Sequence, residues 1–274
     1  MIYLKQSKRV ARGQQLETDK DFLMPAQQQE RLTKRQRRVL RQQGILDTDN
    51  QLSSGFTVKS DIAPMTDNQA LAFESWDEGQ NLMLHGIAGT GKTFLALYFA
   101  LKETLKTNTP HKKVFIVRSI VPTRDIGFLP GSQKDKMKVY EAPYYDICSK
   151  LFGRGDAYEI LKQRNNVEFI STSFLRGSTF DDCIIVVDEV QNMSDQELHT
   201  VMTRVGEDCR IIFAGDVKQD DLTSERKKEL SGLKIFMEVI RNMREFDFVE
   251  FLANDIVRSN LVKSYIIERD KQGL

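Results

Sequence analysis

From Asn81 onward the chain alternates short, mostly apolar runs with longer segments whose apolar residues recur at helical spacing. Val114-Phe115-Ile116-Val117, Val167-Glu168-Phe169-Ile170, Cys183-Ile184-Ile185-Val186-Val187, Arg210–Ala214 and Phe246–Phe251 read as strands. The runs at 114–117, 183–187 and 210–214, rich in β-branched residues and without polar alternation, belong to strands covered on both faces. Ser194-Asp195-Gln196-Glu197 is a capping box opening a helix through Leu198, Val201, Met202 and Val205. Residues 232–243 and 256–267 read as two further helices. Upstream, Thr66 or Asp67 caps a helix whose buried face is Ala70, Leu71, Phe73 and Trp76, ended by Gly79. Phe56-Thr57-Val58 reads as a short strand, and the loop from Arg118 to Gly131 holds two prolines and two glycines. This rhythm predicts an α/β fold, a mostly parallel sheet with helices on both faces.

Between an apolar run from Asn81 and an apolar helix lies Gly86-Ile87-Ala88-Gly89-Thr90-Gly91-Lys92-Thr93, which fits G-x-x-x-x-G-K-[ST]. The glycines let successive N–H groups converge on one anion, and the following helix adds its positive N-terminal end. The Lys92 ammonium is then placed for the β- and γ-phosphates of ATP, and the Thr93 hydroxyl for Mg²⁺.

The run ending at Val187 leads into Asp188-Glu189. At a strand end in a phosphate-loop protein, Asp188 is placed for the Mg²⁺ shell and Glu189 to deprotonate the attacking water. The Arg210–Ala214 run leads to Gly215-Asp216-Val217-Lys218-Gln219, so a third strand end presents a polar residue, Gln219. In open α/β sheets ligands bind at the carboxyl ends of strands, so all three sets converge on one nucleotide. Gln69, just before the phosphate loop, is a candidate for reading the adenine edge.

Charge adds a second region to this picture. Residues 1–45 hold eleven Lys/Arg against four Asp/Glu, so the net +1 of the chain is a sum of +7 there and −6 elsewhere. Residues 1–55 therefore read as a basic, Gln-rich arm and 56–274 as the ATPase domain. Six of the eleven residues 31–41 are Lys or Arg, which suits either a solvated charge run or phosphate contacts. Lys134, Lys136, Lys138, Tyr140, Tyr144 and Tyr145 interleave cations and aromatics, as single-stranded nucleic acid or an amphipathic helix would require. The three cysteines, Cys148, Cys183 and Cys209, are far apart in sequence and indicate neither a disulfide framework nor a metal site. No apolar run is long enough to span a bilayer and none resembles a signal peptide, so a cytoplasmic protein without a membrane partner is expected.

The segments HGIAGTGKT, RSIVPTRDIGFLPGS, FLRGSTFDDCIIVVDEVQNM, IIFAGDVKQDDL and NDIVRSNLV resemble the PhoH-like phosphate-starvation-inducible ATPases, most closely phage-encoded members. If phage-encoded, the chain would work in the host cytoplasm. The resemblance runs from about Gln69 to Val262, and Val190 stands where that family usually has Ala. It implies a RecA-like P-loop NTPase similar to the first motor domain of superfamily 1 helicases. It further implies Gln69 as an adenine contact, Gln219 as a γ-phosphate sensor, and nucleic-acid contacts near Arg118 and the following loop.

The expected function is Mg²⁺-dependent ATP hydrolysis, with Lys92, Glu189 and Gln219 at the reaction, coupled to single-stranded RNA or DNA in a helicase-like manner. A nucleotide-dependent switch that binds a partner without motor activity is the alternative. A phosphotransferase fits less well, because Glu189 beside Asp188 would activate water. Only 181 residues follow Thr93, too few for a second motor domain as well as the first sheet. A completing arginine is therefore expected from another subunit, with Arg176 and Arg258 as candidates, in a head-to-tail ring. The family resemblance implies six subunits.

Overall fold

The computed structural model describes residues 56–58, 62–120, 133–175, 177, 179–216 and 228–272. The basic arm up to residue 55, most of the loop after Arg118, Arg176 and Gln219 lie outside the described residues.

Six strands, β1 (Asn81–Gly86), β2 (Lys113–Arg118), β3 (Val167–Ser171), β4 (Cys183–Asp188), β5 (Arg210–Ala214) and β6 (Phe246–Phe251), form one sheet. Their order is β3-β2-β4-β5-β1-β6, and every neighbouring pair is parallel. All six residues of β4 are buried, as an inner strand covered on both faces requires. The edge strands β3 and β6 instead carry Glu168, Asp247 and Glu250 at less buried positions. Charge along an edge discourages pairing with another chain.

Among the described residues the α-helices are α1 (Asp67–Asp77), α2 (Lys92–Thr104), α3 (Gln133–Phe152), α4 (Ala157–Gln163), α5 (Asp195–Met202), α6 (Lys228–Arg241) and α7 (Asn260–Lys271). Alternate strand residues point to opposite faces. Leu82, Leu84, Ile116, Ile184, Val186 and Ile212 therefore join one core with Leu95 and Leu97 of α2 and Tyr144 and Cys148 of α3. Met83, Ile185, Val187, Ile211 and Phe213 join the other with Leu198 and Val201 of α5 and Phe236 and Met237 of α6. Helices thus cover both faces. From Leu95 to Leu101, α2 is buried all round, which explains why that stretch carries no charge.

Because every strand is parallel, the carboxyl ends of β1, β2, β4 and β5 lie along one edge. β5 sits between the strand leading to the phosphate loop and the strand bearing the acidic pair. This is the α/β, RecA-like P-loop NTPase architecture. Among the described residues, no helix is long and apolar enough to cross a membrane.

Three local expectations give way to the structure. Phe56 to Val58 is not a strand; the Phe56 ring instead stacks on Phe152, with centroids 4.6 Å apart. On α1 the buried residues are Gln69, Ala72, Ser75 and Trp76, and Leu71 is exposed. The polar bonds of Asn68 and Gln69 turn that face of the helix inward. The last helix begins at Asn260 rather than 256, because a 3-10 turn, Ala253–Asp255, comes first. The Asp255 carboxylate accepts from the Leu252 N–H and from Asn68 Nδ2, both at 2.8 Å, and holds that turn against α1. Two of the three free cysteines, far apart in sequence, meet in the fold. The register of β4 on β5, with Ile184 opposite Arg210, brings Cys183 and Cys209 side by side. Their sulfurs are 3.3 Å apart.

Candidate nucleotide-binding site

The phosphate loop begins where β1 meets β6. Gly86 has φ +118°, and a Cβ there would lie 2.1 Å from the Phe251 carbonyl oxygen. The next amide, Ile87 N–H, donates to that same carbonyl at 2.9 Å. Only glycine allows the bend and the close approach together. Thr90 closes the loop from inside, its hydroxyl donating to the Ile87 carbonyl at 3.1 Å. Gly91 then caps α2 in the left-handed region, φ 90°, and the helix N-terminus opens on the loop.

Lys92 is buried, 4% exposed. Its ammonium donates to the Ile87 carbonyl at 2.6 Å and the Gly86 carbonyl at 3.3 Å, and pairs with Asp216 at 2.9 Å. Thr93, the second residue of α2, donates its hydroxyl to Asp188 Oδ1 at 2.8 Å. The Tyr144 hydroxyl donates to Asp188 Oδ2 at 2.9 Å. Burial pushes the Asp188 carboxyl above the usual carboxylate range, against the pull of Thr93, Tyr144 and Arg118.

Glu189 follows in a left-handed conformation, φ 56°. Non-glycine residues rarely adopt it, and such geometry concentrates where a side chain must be aimed. The Glu189 carboxylate accepts from Gln191 Nε2 at 2.6 Å and lies 3.8 Å from an Arg118 guanidinium nitrogen. Burial first, then the charge of Asp188, raises its pKa, while Arg118 and Gln191 oppose the rise. Gln191 also accepts from the Asp216 N–H at 3.1 Å, so one amide ties the end of β4 to the turn after β5.

Gln69 reaches the loop from α1. Its Nε2 donates to the Thr90 carbonyl at 3.0 Å, and its Oε1 accepts from the Met65 N–H at 2.9 Å. Arg258 stands at the same loop in the same chain: a Cβ on Gly89 would lie 3.1 Å from Arg258 Cγ. The Val257 N–H donates to the Gly89 carbonyl at 3.1 Å.

The structure therefore gathers Gln69, the loop from Gly86 through Ile87, Ala88, Gly89, Thr90 and Gly91 to Lys92 and Thr93, the pair Asp188 and Glu189, and Arg258. Three neighbours escaped sequence reasoning. Tyr144 is separated from Asp188 by 44 positions and carries no local signal. Asp216 and Gln191 stand in segments whose motif character was visible without a role for either. Tyr144 is fully buried, which removes it from any set of aromatics offered to bases. Arg118 spends its charge beside Glu189 and lies over the Tyr140 ring at 5.8 Å.

The sequence model of the PhoH-like protein family matches residues 61–268. A PhoH-like protein of Bacillus subtilis (strain 168) is 36% identical over 189 residues, covering 69% of this chain and 57% of that one. One from Mycobacterium leprae (strain TN) is 30% identical over 224 residues, covering 81% and 61%. The chain thus matches little more than half the length of these relatives. They are bacterial and do not bear out the phage-encoded subgroup. Among solved structures, the large terminase of a thermophilic bacteriophage in complex with ADP aligns at TM-score 0.47 and 12% identity. That alignment covers 74% of this chain and 49% of the terminase. The Hef helicase domain of Pyrococcus furiosus aligns at 0.40 and 14%, covering 68% and 39%. Likenesses this distant carry no functional weight. The family match extends from before α1 into α7 and takes in every described residue of the site, so the chain belongs to the PhoH-like protein family.

Proposed function

We propose that this chain hydrolyses ATP with Mg²⁺ and couples hydrolysis to single-stranded RNA or DNA in the cytoplasm. The observation that carries the reading is the contact of Thr93 Oγ1 with Asp188 Oδ1 at 2.8 Å. It joins the phosphate loop to the acidic strand through two hard oxygen donors. Such a pair suits Mg²⁺, which takes few protein oxygens and keeps several waters. When bound, the ion supplies positive charge to the phosphate oxygens.

The chain's own groups do the rest. Lys92 neutralises phosphate charge from a buried position. Glu189 takes a proton from the attacking water, and its raised pKa makes it a stronger base than an ordinary carboxylate. Gln191 and Arg118 hold that carboxylate in place. Gln69 reads the nucleotide base, and Gln219 senses the γ-phosphate. Arg258, beside Gly89 of its own chain, is assigned to the phosphates of that chain. Arg176 is assigned to a neighbouring subunit's nucleotide in a closed ring, six subunits by family resemblance.

The test is ATP turnover by the full chain with Mg²⁺, titrated with single- and double-stranded RNA and DNA. Hydrolysis stimulated by single strands is expected. No hydrolysis under any condition overturns the proposal. Hydrolysis indifferent to every nucleic acid replaces the coupled ATPase with the nucleotide switch.

A further inference from the structure

Cys183 opens β4 and Cys209 immediately precedes β5, at the edge of the sheet opposite the phosphate loop. Their sulfurs are 3.3 Å apart. Neighbouring strands lie about 4.8 Å apart, within the Cα separations that a disulfide spans. An S–S bond is about 2.0 Å long, so little more than 1 Å of approach remains. The two sites are unequal. Cys183 is fully buried, whereas Cys209 is partly exposed and can be met by a small solute. As a thiol, Cys209 donates to the Phe180 carbonyl at 2.9 Å.

We propose that Cys183 and Cys209 form a reversible oxidation site at which a hydroperoxide converts the two thiols into a disulfide. Cys209 is the attacking sulfur. Its thiolate displaces hydroxide from the O–O bond of hydrogen peroxide and becomes a sulfenic acid. The Cys183 sulfur then attacks the Cys209 sulfur, the S–S bond forms, and the sulfenic oxygen leaves as water with the proton of the second thiol. Two thiols and one peroxide give one disulfide and two waters. The environment supports this order. A hydrogen bond from the Cys183 thiol holds the Cys209 pKa down to about 7, aided by the Cys183 and Gly206 N–H groups and opposed by burial. The same bond, with burial, pushes the Cys183 thiol up, so it keeps its proton until Cys209 has been oxidised. Cys148 stands apart: it is buried within the other core, and burial alone pushes it up to about 12.

The experiment treats the full chain with hydrogen peroxide, then counts thiols after unfolding and maps cross-links by peptide mass. The count is expected to fall from three to one, with loss of two hydrogens from the mass and a Cys183–Cys209 cross-linked peptide. Dithiothreitol should restore three. In Cys183→Ser, which lacks the second sulfur, dimedone should label Cys209 as a sulfenic acid. A count that stays at three, or a cross-link through Cys148, overturns the proposal. So does a disulfide found only between chains. The wild-type count and map decide the matter even if the serine variant folds poorly.

Discussion

Tyr144 on α3 and Thr93 on α2 hold the two oxygens of Asp188 between them, at 2.9 Å and 2.8 Å. A carboxylate 3% exposed is thereby satisfied by hydroxyl donors from two helices. Tyr144→Phe removes one donor and no packing volume. It should cost about 1–3 kcal/mol of stability, the usual loss when a buried charged acceptor loses a partner. It should also raise the Mg²⁺ concentration needed for half-maximal ATPase activity several-fold, because Asp188 loses its second anchor. Denaturant unfolding and a Mg²⁺ titration check both parts. An unchanged Mg²⁺ requirement would confine Tyr144 to a packing role.

Glu189 and Lys92 separate chemistry from binding. Glu189→Gln should keep ATP binding and slow turnover about 10²–10⁴-fold, the usual contribution of a general base. Lys92→Ala should lose binding as well, since the charge at the phosphates is gone. Single-turnover hydrolysis and equilibrium nucleotide titration distinguish the two. Wild-type turnover in Glu189→Gln would remove it as the base.

Gly86→Ala tests the junction of β1 and β6. The added methyl would lie 2.1 Å from a backbone carbonyl oxygen, which no side-chain rotation can relieve. The positive φ adds strain of about 1–3 kcal/mol. The variant should lose nucleotide binding and more than about 2 kcal/mol of stability. Thermal unfolding with and without nucleotide reads both, and a wild-type melting curve would contradict the junction geometry.

The strands and the phosphate loop were legible because their signals are local. An unbroken run such as Cys-Ile-Ile-Val-Val admits little besides a strand covered on both faces, and Ser194 with Glu197 forms its capping box within four residues. What escaped reading depends on register and on distant polar partners. Cys183 and Cys209 meet only because β4 and β5 are neighbours at one offset. Tyr144 meets Asp188 only after α3 packs against the sheet. Asp255 delays α7 because its carboxylate is spent on Leu252 and Asn68. The face of α1 followed its polar partners, and apolar spacing alone pointed to Leu71.

Glu197 gives a pH dependence whose sign follows from its donors. Burial pushes its carboxyl up, but the hydroxyls of Thr172, Ser119 and Ser194 and the Ser194 N–H outweigh burial and leave its pKa lowered. Thr172 donates at 2.5 Å and Ser119 at 2.9 Å, so this one side chain binds the ends of β2 and β3 to α5. A carboxyl with a lowered folded pKa contributes stability that is full above its unfolded pKa and lost as pH falls through the folded value. Glu197→Gln should therefore be less stable than wild type at neutral pH, with the difference shrinking across the acidic range. Urea unfolding of both proteins from pH 7 downward measures it. A gap that stays constant with pH would assign the effect to shape rather than charge.

Arg258 and Arg176 make opposite predictions in mixed assemblies. Arg258 lies against Gly89 of its own chain, so losing it disables the nucleotide site of the chain that carries the substitution. A subunit with Lys92→Ala has a dead site of its own but a normal arginine to offer a neighbour. Mixing Lys92→Ala with Arg258→Ala should therefore recover nothing, because every site has lost one residue or the other. If Arg176 reaches across the ring, mixing Lys92→Ala with Arg176→Ala gives a different result. Some interfaces then pair an intact phosphate loop with an intact arginine, and part of the ATPase activity returns. A finger of this kind is worth about 10³–10⁵ in rate, so even a minority of repaired interfaces stands well above either inactive parent. Sedimentation of each mixture must show that the subunits exchange. Recovery in the first mixture moves Arg258 across the interface, and its absence in the second removes Arg176 from it.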